Sequence, residues 1–512
     1  MGQVTQLGAI NTTALSVPDL YVQIVPPQTQ YINGLPTNIL GLVGTATWGP
    51  VNSPVTVGNM QQYVSVFGPV QARKYDMGTH VATALLQGAN NFRCVRVTDG
   101  TDTAASATVL TNCLTLTSKY TGTFGNNITV QIATGTAANT WKAIVGAPNL
   151  VPEVFDNIGS GLSGNALWVA IAAAINSGTT SLRGPSQIIV ASAGAGTTVP
   201  SAATYPLASG TDGATTITAT VLLGQDTIPR AGMYALRNTG ASVALLADCD
   251  TSTSWSTQVA FGLSEGVYMV GTGPSGDNIS NAATTKATAG IDSYAFKLLF
   301  GDWVYWLDTY NNVLRVVSPQ GFVAGLLANL SPNNSSLNKQ LQGIVGTQKS
   351  YSNQFYSVAD LQQLAAAGID VITNPVPGGN YFGARFGHNS SSNPMTNGDN
   401  YTRMTNYIAY TLNASMGKFI GMLQSTTARA QVNATLSAFL DNLQQQNMIG
   451  DPNGGPAYSV QCDANNNPTS RVALGYLQAD VKVKYLAVIE KFLVNVEGGA
   501  SVQINKQQTQ LA

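Results

Sequence analysis

The sequence of 512 residues contains few charged side chains. Lysine and arginine total 23, aspartate and glutamate total 24, and together they make up 9 % of the chain, against about 25 % in an average globular protein. This composition excludes charge-rich intrinsic disorder. The net charge of −1 gives the whole chain no electrostatic affinity for nucleic acid or anionic lipid. Because 44 % of the residues are hydrophobic, a sizeable core is expected, and the near-neutral surface favours association.

Cysteine and histidine are also scarce, which restricts metal and catalytic chemistry. The two histidines, His80 and His388, have no Asp, Cys or second His at ligand or triad spacing, so we expect structural or surface histidines. The cysteines are scattered, with no CxxC or other metal-type spacing, which excludes a disulfide scaffold. We expect buried, idle thiols, with long-range or intersubunit disulfides as the alternative. The four cysteines are Cys94, Cys113, Cys249 and Cys462.

Export and membrane signals are missing as well. The first residues contain neither the basic segment nor the apolar segment of a signal peptide. No run approaches the ~18 consecutive apolar residues needed for a membrane-spanning helix. We therefore expect a soluble protein that is made in the cytoplasm.

One glycine motif has the form of a phosphate-binding loop. Residues 271–276 read GTGPSG, a GxGxxG that follows a strand-like segment, and in dinucleotide folds such glycines let the backbone approach a pyrophosphate. Two features argue against that function. Pro274 removes an amide donor, and the acidic residue at a suitable distance, Asp292, precedes a strand instead of following one. We expect an ordinary loop, no cofactor and no metal, since P-loop, GxSxG and HExxH motifs are also missing.

Composition and periodicity divide the chain into four regions. Residues 1–30 form an N-terminal arm, and residues 31–100 with 225–390 alternate short apolar strands with helices. Between them, residues 101–224 are rich in Thr, Ala, Ser and Gly and read as an inserted, mainly β domain. Residues 391–512 carry a helix pair, further strands and a C-terminal arm. The predicted fold class is therefore α/β (α+β) with several domains.

The C-terminal region has the clearest helical periodicity. Apolar residues recur from Met404 to Ile420 and again from Val432 to Leu443, which predicts two long amphipathic helices. Gly450 is the expected C′ residue after the second helix. Strand-like patches at residues 20–25 and 492–496 leave strand-forming segments near both termini without an obvious partner.

Several motifs occur in the order found in contractile phage tail sheath proteins. Residues 39–55 resemble that family's opening strand and its G-x-[AS]-x-x-G-P loop, before a helix ending in Phe67-Gly68. Residues 17–23 resemble its Pro-Gly-Val-Tyr-Val arm, although Asp19 replaces the usual glycine. Further resemblances follow in order at residues 114–128, 293–295, 303–304, 317–325, 368–372 and 383–386. The resemblance therefore extends over nearly the whole chain.

The resemblance implies a sheath-type core with an inserted mainly β domain and terminal strand arms. It implies a structural subunit that is not an enzyme, stacks as six-membered rings around a tail tube and contracts by re-packing of rigid subunits. Its partners would be other sheath subunits, the tail tube protein, and the baseplate and tail terminator proteins, with no nucleic acid and no membrane. The protein would reside in the virion after synthesis in the host cytoplasm.

The resemblance also gives specific segments a role. In this family the terminal arms add strands to the sheets of neighbouring subunits, and the C-terminal helices face the tube. Lys418 and Arg429 are therefore expected tube contacts, with simple core packing of the helices as the alternative. The expected arm residues are Tyr21, Val22, Gln23, Ile24, Phe492, Val494 and Val496.

Two other functions stay open at this point. The sheath of a phage-derived contractile injection particle, of the bacteriocin or secretion-system type, would share the fold and the mechanism, and a neighbouring capsid gene would discriminate. A secreted β-rich adhesin or hydrolase is the alternative from a different class. The missing triad and signal-peptide pattern weigh against it.

The low charge predicts that assembly depends weakly on salt. Raising the ionic strength from about 0.1 M to about 1 M shortens the Debye length from about 10 Å to about 3 Å, so contacts made by exposed charges weaken. We expect the yield of assembled particles, measured by sedimentation and negative-stain microscopy, to stay nearly constant over this range. Particles that fall apart at moderate salt would contradict the prediction.

Overall fold

The computed structural model describes residues 4–5, 22–23, 32 and 34–496. Its fold is mixed α/β with several sheets, as the sequence predicts. Within these ranges the strands are β1 (Val4–Thr5), β2 (Val22–Gln23), β3 (Leu40–Gly44), β4 (Pro54–Val57), β5 (Phe92–Arg96), β6 (Ala104–Val109), β7 (Leu114–Thr121), β8 (Thr129–Thr134), β9 (Trp141–Gly146), β10 (Glu153–Ile158), β11 (Ile189–Ala193), β12 (Ala203–Pro206), β13 (Val243–Leu246), β14 (Tyr268–Thr272), β15 (Phe296–Leu299), β16 (Val304–Asp308), β17 (Val313–Val317), β18 (Ile344–Thr347), β19 (Ile372–Thr373), β20 (Gly383–Ala384), β21 (Tyr458–Gln461) and β22 (Asp480–Val483).

The helices lie between these strands. In the same ranges the α-helices are α1 (Met60–Phe67), α2 (Met77–Leu86), α3 (Gly164–Ser177), α4 (Ala219–Leu223), α5 (Trp255–Glu265), α6 (Ile279–Thr288), α7 (Gln320–Asn329), α8 (Gln348–Tyr351), α9 (Val358–Ala366), α10 (Asp399–Met416), α11 (Thr426–Gln445) and α12 (Thr469–Val472).

A six-stranded sheet in the order β15-β14-β13-β3-β5-β4 forms the centre of the molecule. Its strands are parallel except β4, which runs antiparallel to β5 at one edge. Every residue of β3, β13, β14 and β15 is buried, as expected for a parallel sheet that is covered on both faces. The core strands predicted from short apolar runs are therefore confirmed.

Helices cover both faces of this sheet, with α1, α2 and α7 on one face and α4, α5, α6 and α9 on the other. Two glycines bring α7 close to α2. A Cβ atom at Gly325 would lie 2.5 Å from Ala84 Cα, and one at Gly321 would lie 2.2 Å from Thr83 Oγ1. The two glycines, one turn apart, are therefore explained by backbone contact between the two helices.

The segment between β5 and β13 is a β-rich unit. Its two sheets, β10-β9-β8-β12 and β11-β7-β6, share one apolar core with α3. Trp48 joins this unit to the central sheet, with its ring centroid 5.4 Å from that of Tyr120 and 5.6 Å from that of Phe124. Within the proposed limits of the insert, residues 101–224, α4 packs against the central sheet through Leu222. This packing favours an end of the insert before α4.

The C-terminal helices are confirmed, but their ends differ from the prediction. α10 ends at Met416, and a 3-10 turn at Gly417–Phe419 follows, so Ile420 lies beyond the helix and is 86 % exposed. The expectation for Gly450 was wrong. Asn447 (φ 55°) is the left-handed C′ residue of α11, because asparagine also tolerates this conformation. Gly450 instead donates its N–H to the Lys484 carbonyl.

A buried ion cluster connects the central sheet to the C-terminal helices. Lys297 on β15 places its Nζ 2.7 Å from Asp370 Oδ2 and 3.0 Å from Asp399 Oδ1. All three side chains are fully buried. Asp399 is the first residue of α10, and its carboxylate also accepts hydrogen bonds from Tyr268 Oη (2.6 Å) and Ser336 Oγ (2.5 Å). The cluster therefore fixes the start of α10 against the sheet.

The protonation of this cluster follows from its geometry. Burial alone would lower the pKa of Lys297, but Asp370 and Asp399 raise it above its usual value. Burial would likewise raise the pKa of Asp399, but the Lys297 ammonium and the Ser336 hydroxyl hold it below its usual value. Lys297 and Asp399 are therefore charged near neutral pH, and a helix N-terminus favours the negative charge of Asp399 further.

Replacing Lys297 by Met should destabilise the protein strongly. The variant leaves two buried carboxylates without their cation, a change that typically costs about 3–5 kcal/mol. Denaturant unfolding should report this loss, and Lys142→Met, at a half-buried lysine on β9, should change stability little by comparison. Equal stability of Lys297→Met and the parent chain would contradict the role of the cluster.

Candidate assembly surfaces

The crevice in which parallel α/β sheets commonly bind ligands is filled by the chain itself. Such crevices lie at the carboxyl ends of the strands where the strand order reverses, here between β3 and β13. Thr45 N donates to the Tyr75 carbonyl (2.7 Å), Met77 N donates to the Thr45 carbonyl (2.9 Å), and Tyr75 N donates to Asp248 (3.1 Å). Backbone and side chains thus take the space and the hydrogen bonds that a ligand would need.

Side chains of the protein also occupy the hydrogen-bonding groups of the GxGxxG segment, residues 271–276. Gln348 Oε1 accepts hydrogen bonds from Gly276 N (3.0 Å) and Trp303 N (3.1 Å), and Trp303 Nε1 donates to the Gly273 carbonyl (3.0 Å). A glutamine oxygen therefore sits where the loop could otherwise hold an anion. This is the ordinary loop that the sequence predicts.

Each histidine contacts a carboxylate that is distant in sequence. His80 is buried, with Nε2 3.1 Å from Asp248 Oδ1, and this contact opposes the effect of burial and holds the pKa of Asp248 below its usual value. In a loop at the surface, His388 Nε2 lies 2.8 Å from Glu490 Oε1. Both are structural or surface histidines, as expected, although their carboxylate partners were missed because long-range pairing leaves no local signal.

All four cysteines are buried and form no disulfide within the subunit, which confirms the expected burial of the thiols. Among residues 34–496, no group of three or more His, Cys, Asp or Glu side chains is close enough to share a metal ion. None of the helices in the described ranges combines the length and the apolar character that crossing a bilayer requires.

The C-terminal hairpin has an edge that can accept another strand. β21 and β22 are antiparallel, with Tyr458 opposite Val483 and Val460 opposite Val481, and these four side chains pack towards α10 and α11. Asn433 Nδ2 donates to the Val460 carbonyl (3.3 Å) and so caps part of β21. Within residues 34–496, no other strand pairs with β22 on its outer side. Such an edge is a template for strand addition.

An apolar groove of about 600 Å³ lies between β22 and the helix pair. Aliphatic side chains from α10, α11 and the β22 side of the hairpin form its walls, and no β21 residue contributes. The residues that line it are Leu412, Met416, Phe419, Ala428, Val432, Leu436, Val472, Leu477, Ala479 and Val481, with Ile420, Met422 and Leu423 at the mouth. The groove therefore offers an apolar surface next to the edge strand.

The expected arm residues are only partly described. Val22–Gln23 form β2, which pairs in parallel with β1 (Val4↔Val22 and Thr5↔Gln23), while Tyr21 and Ile24 lie outside the described residues. Residues 492–496 have no sheet partner within the described chain, so the arm strand expected there stays a prediction. Phe492 and Val496 are 85 % and 87 % exposed. A strand needs a pairing partner, so residues 492–496 by themselves show only the alternation of apolar residues in the sequence.

The two expected tube-contact residues occupy different environments. Lys418 is exposed in the turn after α10, with Nζ 5.2 Å from the Phe419 ring centroid. Arg429 is half-buried on α11, and its Nε is enclosed without a partner among the described residues. Beside Lys418, the turn exposes Leu423, which is 92 % accessible. The structure therefore brings the two cations to the same end of the helix pair, but it exposes only one fully.

Periodicity reasoning missed the groove. Its residues come from α10, α11 and α12, from the turn after α10, and from β22 with the segment that leads into it, which only the tertiary fold brings together. One local signal was present: residues 420–423 read IGML between two polar helix segments. A short apolar run in a turn indicates a surface that is covered by something else.

Comparisons with known proteins concern the fold alone. No family model and no curated protein sequence matches the chain. Among solved structures, a sheath tail protein from Desulfitobacterium hafniense matches with a TM-score of 0.58 at 15 % identity, over 87 % of this chain and 94 % of that one. A sheath tail protein from Listeria innocua matches with a TM-score of 0.59 at 14 % identity, over 86 % and 90 %.

A third solved structure comes from a different kind of particle. The sheath of an extracellular contractile injection system, PVC, in its contracted state matches with a TM-score of 0.55 at 11 % identity, over 96 % of this chain and 99 % of that one. At these identities the likeness establishes the architecture. The fold is that of tail sheath proteins and contractile injection system sheaths.

Proposed function

We propose that this chain is the structural subunit of a contractile phage tail sheath. It stacks as six-membered rings around a tail tube and contracts by rigid-body rearrangement, which drives the tube into the host envelope. The observation that carries the proposal is the edge of β22, which no strand within residues 34–496 pairs, with an apolar groove beside it, in a chain with the fold of sheath proteins. A subunit that ends in strand-forming segments needs such an acceptor on its neighbour.

Strand addition gives the proposal a physical basis. A strand at residues 492–496 would present Phe492, Val494 and Val496 on one face, because side chains alternate along a strand. On the β22 edge, that face would enter the groove of a neighbouring subunit. Each main-chain hydrogen bond contributes about 1 kcal/mol net, and full burial of a valine or phenylalanine side chain contributes about 1.5–3 kcal/mol. Residues 20–25, with Tyr21, Val22, Gln23 and Ile24, are the second proposed arm.

Rigid-body contraction requires the body of the subunit to move as one unit. The buried Lys297–Asp370–Asp399 cluster ties the central sheet to α10, and Arg403 on the next turn of α10 donates to the carbonyls of Leu330 (2.8 Å) and Ser331 (2.9 Å). In this proposal the energy of contraction comes from contacts between subunits. No bound ligand and no catalytic residue takes part.

The same proposal specifies the partners and the location of the subunit. Its partners are other sheath subunits, the tail tube protein, and the baseplate and tail terminator proteins, while nucleic acid and membrane have no part in its assembly. Its location is the virion, after synthesis in the host cytoplasm. The likeness to the PVC sheath supports a second candidate, the sheath of a phage-derived injection particle, and a capsid gene beside this one would favour the phage tail.

Deleting either proposed arm should abolish assembly without unfolding the subunit. Chains lacking residues 1–30 or residues 492–512 are expected to keep the circular dichroism of the parent chain but to form no tubes in negative stain, because the joint between subunits is lost. Val481→Asp, inside the groove, should have the same effect, whereas Ser459→Asp, at an exposed position of β21, should assemble normally. Normal tubes from both deletions would contradict the proposal.

The turn after α10 is the second part of the proposal, with Lys418 and Arg429 as tube contacts. Substituting both residues by Glu should reduce co-sedimentation of the sheath with purified tubes by about tenfold, a change that corresponds to 1.4 kcal/mol. A single-site charge control is Lys142→Glu, at a lysine in the insert. Unchanged co-assembly of the double variant with tubes would show that these residues only pack or face solvent.

A further inference from the structure

The segment that leads from β22 to the proposed C-terminal arm is held against its own subunit. We call this segment, residues 484–490, the strap. At its start, Lys484 N donates to the Ala457 carbonyl (2.8 Å), and the Lys484 carbonyl accepts from Gly450 N (3.1 Å). No strand within residues 34–496 pairs with the chain beyond Lys484, so side-chain contacts decide where the strap goes.

Two polar side chains of α10 hold the first half of the strap. Thr405 Oγ1 lies 3.2 Å from Tyr485 Oη. Nearer the start of the helix, Asn400 Nδ2 donates to the Leu486 carbonyl (3.3 Å), and Asn400 is only 8 % exposed. The strap therefore runs along α10 towards the N-terminus of that helix.

A side-chain pair holds the last residue of the strap. Glu490 Oε1 lies 2.8 Å from Nε2 of His388, and His388 forms a backbone bridge to Gly398, the residue before α10. The ring of Phe386 stacks on the imidazole, with 6.2 Å between the ring centroids, which restrains its orientation. Beyond this pair, residues 491–496 are exposed. The arm therefore leaves the subunit beside the start of α10.

This course leads away from the apolar groove beside β22. The helix α10 contributes Leu412 and Met416 to the groove. It contacts the strap through Asn400 and Thr405. At a rise of about 1.5 Å per residue, Asn400 and Met416 are about 24 Å apart along the helix. The strap and the groove thus lie along different halves of α10.

Self-pairing is the competing arrangement, because the chain is long enough for it. If residues 484–491 formed the loop of a hairpin, Val494 would lie opposite Val481. Val496 would lie opposite Ala479, and both partners line the groove. The alternation of apolar residues in the arm therefore fits its own groove as well as that of a neighbour. A partner on the same chain has a roughly millimolar effective concentration, so without restraint the self-paired form would dominate.

We propose that the strap keeps the arm out of the groove of its own subunit, so that the arm pairs with a second copy of this chain. His388, Asn400 and Thr405 are positioning residues, because they act on the arm through the strap. The inference rests on the proposed function, since it concerns the arm and the groove named there. It adds the reason why the arm is exchanged between subunits although its own groove has the same shape.

Releasing the strap should reduce assembly while the full-length subunit stays folded. The double variant His388→Ala with Asn400→Ala should keep the circular dichroism of the parent. Its assembled mass, measured by sedimentation at equal concentration, should fall by at least about tenfold, because self-paired subunits present neither arm nor groove. Glu490→Ala, at an exposed position, should lower it by a smaller factor. Asn413→Ala, at an exposed asparagine of the same helix, should assemble like the parent. Normal assembly of both strap variants would overturn the inference.

Disulfide trapping identifies the subunit that receives the arm. In the self-paired hairpin, Lys482 would lie opposite Leu493 on the face away from the groove, and the same pairing between subunits would bring these positions together. Lys482→Cys with Leu493→Cys should therefore give links between subunits in the parent background. In the background of the His388 and Asn400 double variant, the links should form within one chain. The native cysteines are buried, so unintended links should be few.

Non-reducing electrophoresis and peptide masses separate the outcomes. Links within one chain at equal yield in both backgrounds would overturn the inference, as would their absence from the double variant. A parent chain that forms neither tubes nor links between subunits would count against the proposed function. In that case, links within one chain that occur only in the double variant would still support the role of the strap.

Discussion

The ion pairs that the buried Lys297 ammonium makes with Asp370 and Asp399 hold the central sheet and the C-terminal helices together. A lysine with no solvent contact is costly unless carboxylates surround it, and here one carboxylate comes from the loop before β19 and the other from the first residue of α10. Neither carboxylate can move away without leaving a buried charge unpaired. The sheet, that loop and the C-terminal helix therefore form one body, as the rigid-body contraction of the proposed function requires.

The small number of charged residues also explains why the surface carries few of them. Most acids act inside the subunit, as helix-capping groups such as Asp76, which accepts from Thr79 N, and Asp360, which accepts from Ser357 N, or as partners of cations, so few remain for the outside. The crevice of the parallel sheet is likewise filled with internal hydrogen bonds. What stays unused within residues 34–496 is of a different kind: a strand edge and an apolar groove. These features suit association between large surfaces better than the binding of a small ligand.

Sequence periodicity predicted much of the fold, since its signals are local. The apolar run at β3, the Asn59 cap of α1, which accepts from Gln62 N, and the repeat along α10 all report which face of one element is buried. The ends of elements were less certain, because several residues can end a helix. Asn447 took the position expected of Gly450. At residues 492–496 the alternation was visible, but a strand exists only when another strand supplies its hydrogen bonds.

The sequence by itself determined the class of fold, the order of the regions, the scarcity of catalytic side chains and the resemblance to sheath proteins. These properties depend on composition and on spacing within one segment. Only the tertiary structure decided which distant groups meet, among them Asp248 with His80, Gln348 with the glycine loop, and the residues of the groove beside β22. Contacts between residues far apart in the chain follow from the packing of whole elements, and that packing leaves no periodic trace in the sequence.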